Sequence, residues 1–439
     1  MSDCKRRRAK KPLNAKAVAQ ANQIQPNARN YSERKRWMDA YIAAGGAWEC
    51  VDPAKKKVGS PVVPCNTIYQ EIEGKILSVT WKSGIKVSKG KQLIKGPHWK
   101  KGENVNDDDD CSIRAAVYLI NKSQKGNQDV DVQIEIKSLN ISGNAKLTGS
   151  IGNLSIEGEC KKTSTGIHNV TAKIKELPDS ISWNKGDIQW GLEVPAINRT
   201  IIMKNRTRVE VFTILDTPGS FYKKGVWVEA LRFLCNKKVN IINEKEVPEV
   251  FKKITEYCHT SHGLKYDTLS GESLYVSSKY GGALGGTFKL DNYIKASLKT
   301  VNCYDQAGAI QALSGALGIK AIWCFQCLQP KIFGFIKKTN LIGVGDCNNP
   351  FFKSNGSKEI VPDNDPERTS FSNHAFCKLE SKIFDACAGP HLGTENAKQY
   401  LDSSVDYKET KRRNEIAGIA SDILYQDIDK EVTGITKVV

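Results

Sequence analysis

One cysteine in this sequence lies where a helix is predicted to begin, a position that favours nucleophilic chemistry. Asn302 is a good N-cap residue, and Asp305, three positions later, has the place of the acidic partner in a capping box. Apolar residues then recur every three or four positions, which is typical of a helix with one buried face, and Gly318 is placed to end it. Because the free amide groups and the dipole at a helix start stabilise a thiolate, Cys303 is predicted to be an activated thiol.

A histidine and an aspartate follow in a predicted hairpin. Residues 371–387 predict two short strands joined by a tight turn at Glu380-Ser381. With an even number of residues in the turn, His374 lies diagonal to Asp385 on the same face of the ladder, close enough for the carboxylate to accept an imidazole proton. An odd number would place the two side chains on opposite faces. The pattern therefore predicts an oriented histidine base, conditional on the turn.

Cys303, His374 and Asp385 in this order form a nucleophile, base and orienter set. On these residues the sequence resembles the transglutaminase-like superfamily of papain-like cysteine enzymes, over roughly residues 225–395. The matching motifs are the helix start Cys303–Ala307, the strand segment His374–Phe376, the segment Ile383–Asp385, and an upstream helix at Val250–Tyr257 that runs into Leu264–Asp267.

The resemblance implies nucleophilic acyl transfer on a peptide or protein carboxamide. Cys303 would attack as the thiolate, His374 would protonate the leaving amine, and Asp385 would fix the imidazole tautomer. The Cys303 backbone amide is the expected oxyanion donor, and the second donor is not identified. Because a thioester can pass to water or to an amine, protease, amidase, glutamine deamidase and cross-linking transglutaminase share these residues. We expect water to be the main acceptor, with no cofactor and no metal.

Two other classes of function stay open. A buried structural thiol is the alternative for Cys303, since free cysteine usually packs as a small hydrophobe, and the fold would then serve only for binding. The other class is a nucleic-acid-associated protein led by the basic N-terminus. Residues 1–36 carry eleven basic and two acidic residues, a net charge of +9 out of +17 for the chain. No aromatic residues are interleaved with the basic cluster, which favours a solvated tail over nucleic-acid binding.

The composition is that of a soluble globular protein with two or three domains: 439 residues, 40% hydrophobic and 26% charged. Neither an apolar run long enough to span a membrane nor a secretory leader is visible, so a cytoplasmic location is expected, with delivery by a specialised secretion system as in bacterial effectors and toxins by analogy alone. Thirteen scattered cysteines indicate reduced thiols. The Cys324/Cys327 pair, and Cys258 with His259 and His262, offer too few ligands for a structural zinc site.

The predicted fold class is α+β, in four parts. Residues 1–64 form a basic arm with one helix over Ser32–Ala44 and a linker; residues 65–216, rich in alternating Val, Ile and Thr, form an immunoglobulin-like β-sandwich. Residues 217–405 form the papain-like catalytic domain, and residues 406–439 form a tail with a helix over Asn414–Ile428. The sandwich or the arm would bind a target or a delivery machine, or brace the catalytic domain.

Overall fold

The computed structural model describes residues 6–9, 15–24, 31–44, 48–51, 72–103, 114–120, 128–137, 143–277, 284–327, 334–352, 358–418 and 430–439. Over these segments the fold is α+β and rich in strands, as predicted for the fold class. Inside them we find no helix with the length and apolarity that crossing a membrane requires.

The N-terminal segments contain a pair of helices, not the single predicted helix. Their elements are β1 (Arg6–Ala9), α1 (Ala15–Ile24), α2 (Tyr31–Ala43) and β2 (Trp48–Val51), with β1 antiparallel to β2. Tyr41 of α2 is buried together with Ala17 and Ala21 of α1, and Trp37 stacks on Tyr41 with ring centroids 5.6 Å apart. The Tyr41 side of α2 is thus covered by α1. Of the linker predicted at residues 51–64, Val51 ends β2 and residues 52–64 lie outside the described segments.

Residues 72–214 form mainly one large sheet. The strands are β3 (Glu73–Trp81), β4 (Val87–Lys89), β5 (Gln92–Leu93), β6 (Trp99–Lys100), β7 (Ala115–Leu119), β8 (Asp129–Lys137), β9 (Gly143–Ile151), β10 (Leu154–Thr163), β11 (Gly166–Ile174), β12 (Ser182–Asp187), β13 (Gln189–Val194), β14 (Arg199–Ile202) and β15 (Arg208–Ile214). Eight of them form one antiparallel sheet in the order β14-β13-β9-β10-β11-β8-β3-β6. The immunoglobulin-like sandwich predicted for residues 65–216 is not confirmed. Alternating Val and Ile define a buried face, but they do not determine which strands share a sheet.

A three-stranded sheet, β12-β15-β7, connects this region to the C-terminal half of the chain. Strand β7 runs parallel to β15 and is buried along its whole length. Ala116 and Tyr118 of β7 pack in the core of the eight-stranded sheet, whereas Val117 and Leu119 pack in the second core, which surrounds the Cys303 helix. The two halves therefore share strand β7, whose side chains alternate between the two cores.

The C-terminal half is built around a helix that begins at Cys303. The helices are α3 (Val228–Leu234), α4 (Val247–Thr260), α5 (Leu290–Ile294), α6 (Cys303–Ala316), α7 (Ala397–Ser404) and α8 (Tyr407–Ile416). The strands are β16 (Val226–Trp227), β17 (Lys265–Tyr266), β18 (Val276–Ser277), β19 (Leu284–Phe288), β20 (Thr300–Val301), β21 (Ile322–Cys327), β22 (Thr339–Leu341), β23 (Gly345–Cys347), β24 (Asn373–Leu379), β25 (Lys382–Asp385), β26 (His391–Leu392), β27 (Glu431–Val432) and β28 (Gly434–Val438). Helix α6 is buried on all sides except at Tyr304, not on one face as predicted. Its small residues, mainly alanine and glycine, allow neighbours to approach from every direction.

The end of the chain belongs to this half and is not a separate tail. Strand β27 extends a five-stranded sheet of order β26-β25-β24-β21-β27, and β28 runs parallel to β19. The Ile435 amide donates to Gln311 Oε1 of α6 at 2.8 Å. The helix predicted over Asn414–Ile428 is instead α8, which begins at Tyr407 and ends at Ile416; residues 419–429 are outside the described segments. The short strands β27 and β28 form only by pairing with β21 and β19, which are distant in sequence, so the local sequence did not predict them.

The irregular insertion at Asp346–Ser370, of which residues 353–357 lie outside the described segments, contains a buried arginine that anchors it. Arg368 is 3% exposed and donates to Asp406 Oδ2 at 2.8 Å, to the Asp363 carbonyl oxygen at 2.8 Å and to the Ile336 carbonyl oxygen at 2.5 Å. Charge-assisted bonds of this kind are roughly twice as strong as neutral ones. Irregular backbone is thereby fixed next to the start of β24.

We predict that Gly318→Ala destabilises the protein on the order of 3 kcal/mol, because backbone strain and steric overlap add. Gly318 follows α6 with φ of 85°, and a Cβ there would collide with the Asp216 carbonyl group. Gly263→Ala is the matched control: φ is 80° but nothing lies within 4 Å, so we expect a loss of about 1 kcal/mol. Denaturant unfolding followed by circular dichroism measures both, and equal losses would contradict the prediction.

Candidate active site

Cys303 occupies the first position of α6, with the capping box that the sequence predicts. The Asn302 side chain accepts a hydrogen bond from the Asp305 amide at 3.1 Å, and the Asp305 carboxylate accepts one from the Asn302 amide at 3.3 Å. Cys303 itself is 6% exposed. Backbone amides of a first helical turn lack a carbonyl acceptor inside the helix, and the Asp305 amide has its acceptor in the Asn302 side chain.

The Asp305 carboxylate also binds the chain segment upstream of the helix. It accepts hydrogen bonds of 2.8–2.9 Å from the Ser273 hydroxyl and from three successive amides, those of residues 274–276. Burial raises the pKa of Asp305, although these donors act in the opposite direction. The start of α6 is therefore attached to the rest of the fold through one buried carboxyl group.

His374 and Asp385 come together in the hairpin of β24 and β25. Leu379 pairs with Lys382 and Cys377 pairs with Phe384, so the turn contains two residues, as the even-turn prediction requires. His374 Nε2 donates to Asp385 Oδ2 at 2.8 Å. The hairpin register thus brings base and carboxylate into direct contact.

Cys303 lies close enough to His374 to contribute to the upward shift of the histidine pKa, and both residues line one cavity. Tyr304, next in α6, donates from its hydroxyl to Asn373 Oδ1 at 2.8 Å, and the Cys377 thiol donates to the Ala307 carbonyl oxygen at 3.3 Å. These contacts hold β24 against the first turn of α6, so Cys303 lies near the hydrogen-bonded pair of His374 and Asp385.

Asp385 is buried and has further donors that sequence reasoning missed. The Tyr400 hydroxyl of α7 donates to Asp385 Oδ2 at 2.8 Å, and the Cys387 amide donates to Oδ1 at 2.7 Å. Burial alone would raise the pKa of Asp385, but the charge and hydrogen bond of His374 outweigh it and lower the pKa. Nothing near Tyr400 in the sequence indicates this contact, because α7 is distant from the hairpin turn and carries only an ordinary capping box at Asn396.

The same pair determines the charge of the histidine. Burial of the ring lowers the pKa of His374, but the charge and hydrogen bond of Asp385, together with the Cys303 thiol, outweigh burial and raise it to about 10. Imidazolium is therefore the favoured form near neutral pH. A cationic ring beside a thiol at a helix start is an arrangement that favours a thiolate.

Cys303 and His374 open into a cavity of about 480 Å³. Its wall comes from the helix start, the insertion, the hairpin and α7: Tyr266, Ser270, Gly271, Asn302, Cys303, Tyr304, Gln326, Ile336, Thr339, Leu341, Pro350, Phe351, Ser370, Phe371, Ser372, Asn373, His374, Cys387, Ala388, Tyr400, Ser404 and Val405. Among these described residues there is no Asp, Glu, Lys or Arg. The wall is therefore polar or apolar but, His374 apart, uncharged.

Tyr266 belongs to the upstream segment that the sequence analysis associated with the nucleophile. Strand β17 runs parallel to β20, which directly precedes α6, and Tyr266 pairs with Val301. Burial, followed by the nearby Cys387 and Cys303 thiols, raises the pKa of Tyr266 well above its ordinary value. The phenol stays neutral and can donate a hydrogen bond into the cavity.

The segments described contain no group of three or more His, Cys, Asp or Glu side chains that could hold a metal ion. His259 and His262, considered with Cys258 as ligands, use ring nitrogens in hydrogen bonds to the carbonyl oxygens of Ala386 and Tyr293. Eight of the cysteines in the described segments have described side chains that are buried and form no disulfide: Cys160, Cys235, Cys258, Cys303, Cys324, Cys347, Cys377 and Cys387.

Comparison with known proteins gives a weak fold-level likeness. No protein-family model and no curated protein matches the chain. Among solved structures, the chain is similar to red sea bream transglutaminase, with 9% sequence identity and a TM-score of 0.27, over 61% of this chain and 49% of that one. The chain thus matches about half the length of that transglutaminase.

We predict that the Asp385→Asn variant lowers the pKa of His374 from about 10 to 6.5 or below, because burial then acts without the opposing carboxylate. The measurement is a pH titration of the histidine ring protons by NMR, in which the His374→Gln variant identifies the His374 signal among the six histidines.

The same pair makes stability depend on pH. Since the folded pKa of His374 is raised above 6.5, the stability from this pair is complete below pH 6.5 and is lost as the pH rises through about 10. A His374 resonance that titrates unchanged in the variant would contradict the electrostatic account.

We predict that Cys303 reacts faster than Cys387 with a small alkylating reagent at neutral pH, although both line the cavity. Cys303 is at a helix start beside an imidazolium, whereas burial and the Asp385 charge raise the pKa of Cys387. Timed iodoacetamide labelling and peptide mass spectrometry measure the two rates. Earlier labelling of Cys387 would reject the assignment of Cys303 as the activated thiol.

Proposed function

We propose that this protein is a cysteine-dependent enzyme of transglutaminase-like type that transfers acyl groups from peptide or protein carboxamides. The observation that carries the proposal is the position of Cys303 at a helix start, beside the hydrogen-bonded pair of His374 and Asp385 and on the same cavity as His374. A buried structural thiol needs neither a cationic histidine nor a cavity.

The chemistry follows from the positions of the three groups. The Cys303 sulfur attacks the carbonyl carbon, and the electron pair of the C=O bond moves to the oxygen. The backbone amide of Cys303, in the first turn of α6, is placed to donate to that oxyanion. When the C–N bond breaks, His374 gives its proton to the leaving amine, and the acyl group stays on sulfur as a thioester. Asp385 keeps the ring oriented throughout.

We propose water as the main acceptor of the acyl group. Water loses a proton to the now neutral His374 and attacks the thioester, and the thiolate leaves with a carboxylic acid as the product. The cavity beside Cys303 carries hydroxyl and amide groups of Ser270, Ser370, Ser372 and Asn373, which can hold water at this position. Hydrolysis includes peptide cleavage and side-chain deamidation; cross-linking to an amine uses the same thioester.

The test compares the full chain with its Cys303→Ala variant in a cell lysate that contains a tagged primary amine. Cys160→Ala is the matched control, because Cys160 is a buried thiol in the eight-stranded sheet, far from the cavity. Quantitative proteomics measures cleaved peptides, deamidated side chains and amine-tagged proteins together. We expect cleavage or deamidation with the parent and with Cys160→Ala, and none above background with Cys303→Ala.

Each other outcome has a distinct meaning. Dominant amine incorporation that requires Cys303 would identify a cross-linking enzyme in place of a hydrolase. Identical products from the parent and from Cys303→Ala would reject catalysis by this thiol and favour a protein that only binds. Loss of products with Cys160→Ala as well would show that the effect comes from damage to the fold.

A further inference from the structure

Gln326 is a polar residue of the cavity wall to which the proposed reaction has so far given no role. Strand β21 pairs antiparallel with β24, and Gln326 lies directly opposite His374 in that pairing. Directly opposed residues have Cβ atoms about 4.5–5.5 Å apart, so their side chains share one face. Gln326 is 4% exposed and lines the same cavity as Cys303. A carboxamide group is thus buried beside the proposed base.

The Gln326 side chain is not satisfied by the protein. Its Nε2 is buried and has no hydrogen-bond partner among the described residues. An unpaired buried donor costs roughly 1–3 kcal/mol, so in a native protein it calls for an explanation such as a bound ligand. Gln306 Nε2 also has no partner there, but Gln306 does not line the cavity. Gln326 therefore combines a buried Nε2 donor that lacks an acceptor with a position on the wall of a cavity large enough for a ligand.

We propose that Gln326 Nε2 donates a hydrogen bond to the carbonyl oxygen of the substrate and that the cavity accepts an uncharged acyl group. This inference rests on the proposed acyl transfer. Gln326 is then the second oxyanion donor, together with the Cys303 backbone amide. The carbonyl oxygen gains negative charge as sulfur adds to carbon and loses it as the thioester forms. Gln326 keeps both of its N–H protons during these steps and stabilises the charge only through the hydrogen bond.

The wall chemistry supports the second half of the proposal. Apart from His374, the described wall residues contain no ionised side chain that could pair with a charged substrate group. A carboxylate or ammonium group placed there would lose its hydration, and among the described wall residues the one cationic side chain, His374, is already paired with Asp385. A neutral carboxamide, such as a glutamine side chain, can instead hydrogen-bond to the hydroxyls of Ser270, Ser370 and Ser372 and to Gln326. Uncharged acyl groups are therefore the substrate class that this cavity fits.

The experiment separates oxyanion stabilisation from thiol reactivity. The parent, Gln326→Leu and Gln326→Glu are each treated with 4-nitrophenyl acetate, which acylates Cys303 through a tetrahedral oxyanion, and with iodoacetamide, which alkylates it without one. Thr339→Val is the matched control, since it removes a hydroxyl from the same wall and keeps the side-chain shape. Adduct formation at Cys303 is followed by mass spectrometry, and the anionic ester 4-nitrophenyl hemisuccinate tests the charge preference of the parent.

We expect Gln326→Leu and Gln326→Glu to slow acylation of Cys303 about 10²–10³-fold, the effect of removing one oxyanion donor. Alkylation by iodoacetamide should be unchanged in Gln326→Leu, and Thr339→Val should resemble the parent with both reagents. The parent should react faster with the acetyl than with the hemisuccinyl ester. Gln326→Leu should also melt at the parent temperature or above, because replacing an unpaired donor with an apolar group removes its cost.

Failure of this inference is distinguishable from failure of the proposed function. If the parent takes no acyl group on Cys303, acyl transfer itself is wrong, and the role of Gln326 is wrong with it. Equal acylation of the parent and Gln326→Leu would remove Gln326 from the site and leave acyl transfer standing. A parallel fall in acylation and alkylation, or a lowered melting temperature, would assign Gln326 to the thiol environment or to the fold and overturn the inference. Preference for the hemisuccinyl ester would reject an uncharged acyl site.

Discussion

Burial of one helix start is the constraint on which the candidate site depends. Asp305 is 0% exposed, and its carboxylate satisfies the first turn of α6 and three amides of the preceding segment. A buried carboxylate without these donors would cost several kcal/mol, so the helix start and the segment must fold together. Because that turn carries Cys303, the position of the thiol is determined by the same contacts that stabilise the core.

A second buried carboxylate determines the charge state of the site. Asp385 has three donors, from His374, Tyr400 and the Cys387 amide, so it can stay ionised without solvent. The ionised carboxylate raises the pKa of His374 and so keeps the ring protonated beside the Cys303 side chain. The charge of His374 thus depends on Asp385, and the charge of Asp385 depends in turn on the hydrogen bonds from Tyr400 of α7 and from the Cys387 backbone amide.

Segments remote in sequence close the site. The insertion held by Arg368 supplies Pro350, Phe351 and Ser370 to the cavity wall, and β28 packs on α6 through Gln311. On the opposite side, the shared strand β7 joins the second core to that of the eight-stranded sheet. We therefore expect core substitutions in either half of the chain to alter the packing of α6, the helix that carries Cys303.

The sequence by itself determined the local geometry. The Asn302 cap and the end of α6, at Ala316 with Gly318 just beyond it, each depend on residues a few positions apart, so their spacing was sufficient. For the hairpin the spacing left an even and an odd turn open, and the structure has the two-residue turn that places His374 beside Asp385. The tertiary structure alone decided the contact of Cys303 with His374, the burial of α6 on all sides, and the positions of Tyr400 and Gln326 in the site. It also decided that eight strands of the predicted sandwich region form one large sheet and that strand β7 contributes to two cores. Those features join distant segments, and pairing between distant segments is set by the burial of the whole chain, which periodicity along one strand or helix does not encode.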